Sequence, residues 1–255
     1  IPTPGIRVGD ETFDAISVED AVERFASALD GRVVGIGSPR ASVEANFALR
    51  ELVGPDNFVA GLEPAEAAIV EITRTGLGLV PAPTRREIES ADCVVVVGED
   101  LTQHAARAAL AVRAAANGRG EALAEGAAIP LWHDAAVRKI AQDERHPVWL
   151  LTPFSDALED IAKVRRVTPS AAAEVASSLA QALRGEAVDT DREILADLKA
   201  AQRPLVITGS AAGDPAVAEA ALQLATALQE SAPLTRFACF TSEPNALGVR
   251  ALTEE

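Results

Sequence analysis

Three apolar runs in this sequence each end in a short glycine turn that carries small polar or acidic side chains. Val33-Val34-Gly35-Ile36 leads into Gly37-Ser38, Cys93 to Val97 into Gly98-Glu99-Asp100, and Leu205 to Thr208 into Gly209-Ser210. A buried strand followed by a tight turn and a helix puts such residues at the strand's C-terminal edge, where ligands of α/β proteins sit. Gly35 and Gly37 make a G-x-G, the opening of a dinucleotide fingerprint. Arg40 stands where its third glycine belongs, and Glu63 comes late for the ribose carboxylate. The turn reads as a weak NAD-binding signal or as a structural glycine turn. Glu99-Asp100 reads as an acid/base dyad or as a capping Asp beside a solvated Glu. His104, in the first turn after Gly98, reads as facing a strand-end cleft or as a surface or cap residue. The three histidines, His104, His133 and His146, include no pair at i+3 or i+4, which speaks against a metal site. No G-x-S-x-G elbow surrounds Ser38 or Ser210. Cys93 and Cys239 lie far apart in apolar runs. An iron–sulfur cluster takes about four clustered thiolates and a structural zinc a comparable Cys/His set, so both read as buried inert thiols. Trp132 and Trp149 read as core or interface anchors.

The elements that must position these residues follow from apolar periodicity. Residues 13–16 read as a short strand, and Ser17 caps a helix with Asp20 at the capping-box position. Its apolar face is Val18, Val22, Phe25, Ala26 and Leu29. After the Val33 strand comes a helix with Ala45, Ala48, Leu49, Leu52 and Val53 on one stripe, capped by Ser38 or by Ser42 and stopped by Gly54-Pro55. Residues 57–62 make a strand. The next helix starts at Pro64 and ends at about Arg74, before Gly76 and Gly78. A short helix from Thr84 precedes the strand at 93–97. Asp100 and Gln103 then open a helix closed by Asn117-Gly118, with a weakly patterned stretch at 120–130. Further helices are expected at 134–142, 170–183, around 194–198 and from Asp214-Pro215, and further strands at 148–151, 205–208 and 235–240. A loop is expected at 241–248. Strands of continuous apolar residues alternating with helices mean parallel sheets covered on both faces.

A chain of 255 residues with 48% hydrophobic residues buries a real core, and no run approaches the ~20 apolar residues of a membrane span. No secretory signal is visible. The 38 acidic and 23 basic residues give a net charge of −15, which argues against nucleic acid and anionic membrane surfaces as partners. The chain opens on Ile1 and contains no methionine, as expected of a piece excised from a longer protein.

Three segments, SPRASVEANFALRELVGPDNF, ADCVVVVGEDLTQHAARAALAVRAA and RPLVITGSAAG, resemble the G subunit of bacterial respiratory NADH:quinone oxidoreductases (complex I). That is the large subunit of the peripheral arm, in the superfamily of molybdopterin oxidoreductases such as formate dehydrogenase and nitrate reductase. The resemblance covers residues 13–245. It implies an α/β fold of two Rossmann-like three-layer αβα domains with mainly parallel sheets, as in formate dehydrogenase and DMSO reductase. One would be discontinuous, residues 1–57 plus 187–255, with residues 58–186 inserted. The strands at 33–36 and 205–208 would then share a sheet.

In cofactor-bearing relatives, a metal-ligating Cys, selenocysteine, Ser or Asp follows the segment matching Asn57. Residues 58–72 hold none of these, only Glu63, Glu66 and Glu71. The relatives also use a Gly-Ser-Asn-like turn where this chain has Gly98-Glu99-Asp100, and two carboxylates at a helix start repel phosphates. The resemblance therefore implies a vestigial pterin site at Gly37, Ser38, Gly98, Glu99, Asp100, Gly209 and Ser210, with no catalytic residue and no bound metal or cofactor in this piece. Iron–sulfur clusters are expected in the N-terminal part of the full-length protein. The implied role is a cofactor-less scaffold supporting electron transfer from NADH to quinone; the alternative is a redox domain that still binds a molybdopterin cofactor. Implied partners are the cluster-bearing N-terminal part and other peripheral-arm subunits, with no nucleic acid and no membrane insertion. The implied location is cytoplasmic, at the inner face of the cell membrane.

Overall fold

In the computed structural model, residues 3–10, 12–29, 31 and 33–253 are described. The chain opens with a short antiparallel pair, β1 (Gly5–Arg7) and β2 (Phe13–Ala15), then α1 (Val18–Ala28). A second small unit follows, made of β3 (Gly35–Ile36), α2 (Val43–Val53) and β4 (Phe58–Val59). Its two strands pair in parallel, Gly35 beside Phe58 and Ile36 beside Val59.

The main unit begins with α3 (Pro64–Leu79), α4 (Arg85–Glu89), β5 (Cys93–Val97), α5 (Leu101–His104), α6 (Ala106–Gly126) and α7 (Asp134–Ala141). It continues through β6 (Val148–Thr152), β7 (Lys163–Arg166), α8 (Pro169–Leu183) and α9 (Arg192–Ala200). β8 (Pro204–Gly209), α10 (Pro215–Ser231), β9 (Arg236–Phe240) and α11 (Ala246–Ala251) complete it. Five strands form one parallel sheet in the order β7-β6-β5-β8-β9. The inner strands β5, β6 and β8 are buried end to end, because parallel strands covered on both faces carry apolar residues at every position.

Alternate side chains feed two cores. Cys93, Val95, Val97, Trp149 and Val206 pack under α8, α9 and α10, while Val94, Val96, Leu150, Leu205 and Ile207 pack under α4 and α6. Each fully buried leucine or valine here contributes about 1.5–3 kcal/mol relative to exposure. The result is the expected α/β class in three αβα layers.

The expected sharing of a sheet by the strands at 33–36 and 205–208 does not occur. β8 lies between β5 and β9, so both of its edges are taken, and among the described residues β3 pairs only with β4. The five-stranded sheet thus draws strands from both expected units, 58–186 and 187–255. Long buried runs found each other, while the short β3, with Ile36 72% exposed, stayed outside.

Several local expectations also change. Ser42, not Ser38, caps α2, accepting from the Ala45 amide at 3.2 Å. The stripe expected on α2 is only partly covered: Leu49 and Val53 are half-buried, whereas Ala45, Ala48 and Leu52 are exposed. The apolar face of α1 lies exposed at Val18, Val22 and Phe25. Gly76 and Gly78 do not stop α3, and Asn117-Gly118 does not stop α6. Instead Gly76 admits the Phe237 ring, since a Cβ there would lie 2.9 Å from Phe237 Cε1. Gly120 likewise lets α7 approach, with Ala141 Cβ 2.7 Å from where its own Cβ would be. β7 went unread because Lys-Val-Arg-Arg carries an edge strand's polar pattern, and α11 begins inside the stretch 241–248 expected to be a loop.

Candidate functional site

From β5 the chain builds outward through β6 to β7, then crosses back to β8 on the other side. The C-terminal ends of β5 and β8 therefore flank the sheet's topological switch point, the position where open α/β sheets bind ligands. Gly98, Glu99 and Asp100 leave β5 there, and Gly209 and Ser210 close β8 beside them. Gly98 has φ +67°, and a Cβ on it would fall 2.6 Å from Val217 Cγ1, so the turn requires glycine. Asp100 caps α5, accepting from the Gln103 amide at 3.1 Å.

Glu99 is not the solvated residue of the capping reading; its side chain is fully buried. It reaches across to β8 and takes the place a side chain on Gly209 would occupy, with Glu99 Cδ 2.7 Å from that Cβ position. Its Oε1 lies 2.9 Å from His104 Nδ1 and accepts from the Asp100 amide at 3.0 Å. Its Oε2 accepts from the Ala211 amide at 3.2 Å. Burial pushes the Glu99 carboxyl above its ordinary range, against the opposing pull of the Ala211 amide, the His104 ring and the Asp100 amide. Both oxygens are thus engaged by protein donors, and Asp100 is held by its cap. This geometry favours the capping reading of Asp100. His104 belongs to the strand-end cluster and is one-third exposed.

Ser210 donates its amide to the Phe240 carbonyl at 2.9 Å, while its buried Oγ meets no partner among the described residues. Asp156, just past β6, joins this edge and was missed in the sequence. It caps a short 3-10 turn, Ala157–Asp160, accepting from the Leu158 amide at 2.8 Å, while its Oδ2 has no partner among the described residues. Burial raises its carboxyl and the nearby charge of Asp100 adds to the rise. The capping-box spacing of Asp156 and Glu159 after an apolar run was the available signal.

Gly37 and Ser38 stand apart, in the turn just past β3. A Cβ on Gly37 would lie 2.9 Å from Phe58 Cζ, and the Ser38 amide donates to Asn46 Oδ1 at 2.8 Å. The Asn46 amide returns a bond to the Ser38 carbonyl at 2.9 Å. Side chains fill this turn, which favours its structural reading over a dinucleotide one. Among the described residues no group of three or more His, Cys, Asp or Glu is placed to hold a metal. Burial pushes both thiols up, Cys239 to about 11 and Cys93 further. Trp149 is a core anchor, its Nε1 donating to Asp197 Oδ2 at 2.9 Å, whereas Trp132 is exposed.

No known family profile matches the chain. It is 39% identical over 254 residues to the NADH-quinone oxidoreductase G subunit of Pseudomonas putida, a match covering 94% of this chain. The G subunits of the Shewanella oneidensis and Escherichia coli K12 enzymes are each 38% identical, over 98% and 89% of it. The chain is a homologue of the NADH-quinone oxidoreductase G subunit. It spans 26–29% of the length of these relatives. Among solved structures, a chain of the formyltransferase/hydrolase complex of Methylorubrum extorquens, determined with methylofuran, shares the fold. The TM-score is 0.61 at 22% identity, over 94% of this chain and 63% of that one.

Proposed function

We propose that this chain is a scaffold segment of the large peripheral-arm subunit of a respiratory NADH:quinone oxidoreductase, its ancestral pterin position closed by its own Glu99. The observation that carries this reading is the buried Glu99 carboxylate at the switch point, bonded to the Asp100 and Ala211 amides. Those are the donors a phosphate at this edge would need. A phosphorylated pterin would have to displace a buried carboxylate, and its charge would face Glu99, Asp100 and Asp156. The residues present do not fit that group. Residues 58–72 also lack a Cys, Ser or Asp to ligate molybdenum.

In this reading the segment holds the cluster-bearing part of the longer protein and meets neighbouring peripheral-arm subunits. Electrons from NADH to quinone travel through iron–sulfur clusters outside it, on the cytoplasmic side of the membrane. Among the described residues no helix is long and apolar enough to cross a membrane. The vestigial site is then Gly98, Glu99, Asp100, Gly209 and Ser210, with Gly37 and Ser38 reduced to a structural turn. Elemental analysis of the purified full-length protein tests it. Iron without molybdenum or tungsten is expected; either metal at one atom per chain would overturn the reading.

A further inference from the structure

The two edges of the five-stranded sheet are treated differently. β7 presents Lys163, Arg165 and Arg166, and Arg165 is paired to Asp191 at 2.7 Å, the charged finish that discourages strand addition. β9, Arg-Phe-Ala-Cys-Phe, has no lysine or proline, and its one charge, Arg236, is turned onto Glu87 at 2.8 Å. The Phe240 carbonyl points inward, accepting from the Ser210 amide, so Ala238 and Phe240 direct their backbone groups toward β8. Phe237 and Cys239 direct theirs outward. The Phe237 amide reaches the Pro81 carbonyl at 3.2 Å, but the Cys239 amide and the Phe237 and Cys239 carbonyls meet no partner among the described residues.

Along this open edge runs a groove of about 510 Å³, lined by Leu77, Pro83, Ile88, Phe237, Phe240 and Leu247. α3 walls it on one face of the sheet and α4 and α6 on the other, so it lies where a sixth strand would run, next to the place that Pro81 takes at the Phe237 amide. Arg85 and Arg107 stand at its rim. Arg85 is paired to Glu89 at 3.2 Å, whereas Arg107 has no acidic partner among the described residues, in a chain of net charge −15.

We infer that a neighbouring polypeptide of the assembly adds an extended strand to β9, with apolar side chains in the groove and a carboxylate on Arg107. Strand addition satisfies the outward backbone row while alternate side chains fill the walls. An amphipathic small molecule would fill the volume and leave that row unmatched. The inference rests on the scaffold reading, since it needs an assembly to supply the strand.

Amide hydrogen exchange at Cys239, the one outward amide of 237–240 not already bonded within the chain, tests it, comparing the full-length chain alone with the chain in its purified complex. Assembly should slow exchange there at least about tenfold. Arg107→Glu should return the rate toward that of the free chain while the amides of β5 stay protected. Equal rates in the free and assembled chain would overturn the inference and leave the scaffold reading standing. So would protection that Arg107→Glu does not change, or protection of the free chain that grows with its own concentration, which would make a second copy the occupant. A chain that does not co-purify with a complex would overturn both.

Discussion

Glu99 is a carboxylate that the fold has taken out of water and satisfied with amides from two strand ends. Removing it should be costly, because the Asp100 and Ala211 amides and the His104 ring lose their acceptor at a buried position. Glu99→Ala should destabilise by about 2–4 kcal/mol, read as a shift of the urea midpoint. Glu99→Gln keeps the volume and removes the titration. Folding raises the Glu99 pKa above its ordinary 4.5, so the native state holds this proton more tightly than the unfolded chain. Its contribution is therefore fully present below pH 4.5 and is lost as the pH rises through the raised value. Urea melts from pH 4.5 upward should show the wild type's margin over Glu99→Gln shrinking; a margin that widened would mean the amides outweigh burial. Ser210→Ala, by contrast, deletes a buried hydroxyl without a partner among the described residues and should leave stability within about 0.5 kcal/mol or raise it. The sequence placed Glu99 and Asp100 at a strand end and read the Asp100 cap correctly. It could not reveal that Glu99 lies buried against Gly209 and Ala211, the latter 112 residues further on, because that depends on β8 lying next to β5.

Elements were legible where a single physical signal controlled them. The apolar runs at 93–97 and 205–208 became buried inner strands because nothing competed with burial. Glycines in helical patterns were misread, since a glycine that ends a helix and one that admits a neighbour look alike in sequence. Gly76 and Gly78 on α3 separate the two meanings. A methyl at Gly76 would press on Phe237 and, at 3.3 Å, on Leu222, whereas nothing lies within 4 Å of a Cβ at Gly78. Gly76→Ala should cost about 1–3 kcal/mol from overpacking despite alanine's better helix propensity. Gly78→Ala should gain up to about 1 kcal/mol, less any fraying of the last turn; thermal melts of the pair check both signs. The start of α4 carries a pH dependence opposite to that of Glu99. Glu87 closes a capping box with Thr84 and reaches Arg236 of β9, and the Thr84 amide and hydroxyl with Arg236 hold its carboxyl down at about 2. Its contribution is present above pH 4.5 and disappears as the pH falls toward 2. Glu87→Gln should flatten the acid limb of the stability curve in that window.

At the scale of the whole molecule, burial is divided unevenly. The five-stranded sheet and its helices hold the two large cores, while among the described residues α1 has no buried side chain and the β1–β2 pair has only itself as a strand partner. Yet α1 carries a strong apolar face, with Phe25 59% exposed, and the β3–β4 unit shows Ile36, Phe47 and Val59 to solvent. Periodicity identified these faces as apolar, but it cannot say what covers them, because a stripe is the same whether its partner lies in this chain or another. If burial sets stability, the β1–β2 pair and α1 contribute almost nothing to the main unit, and deleting the chain up to residue 33 should leave its melting temperature within about 2 °C, since ~1 kcal/mol shifts a domain of this size by ~2–4 °C. Amides of β1, β2 and α1 should exchange near the unprotected rate while those of β5, β6 and β8 exchange only with global opening. A deletion that lowered the melting temperature by much more would mean that α1 packs on the sheet unit in solution, with Val18, Val22 and Phe25 covered by this chain itself.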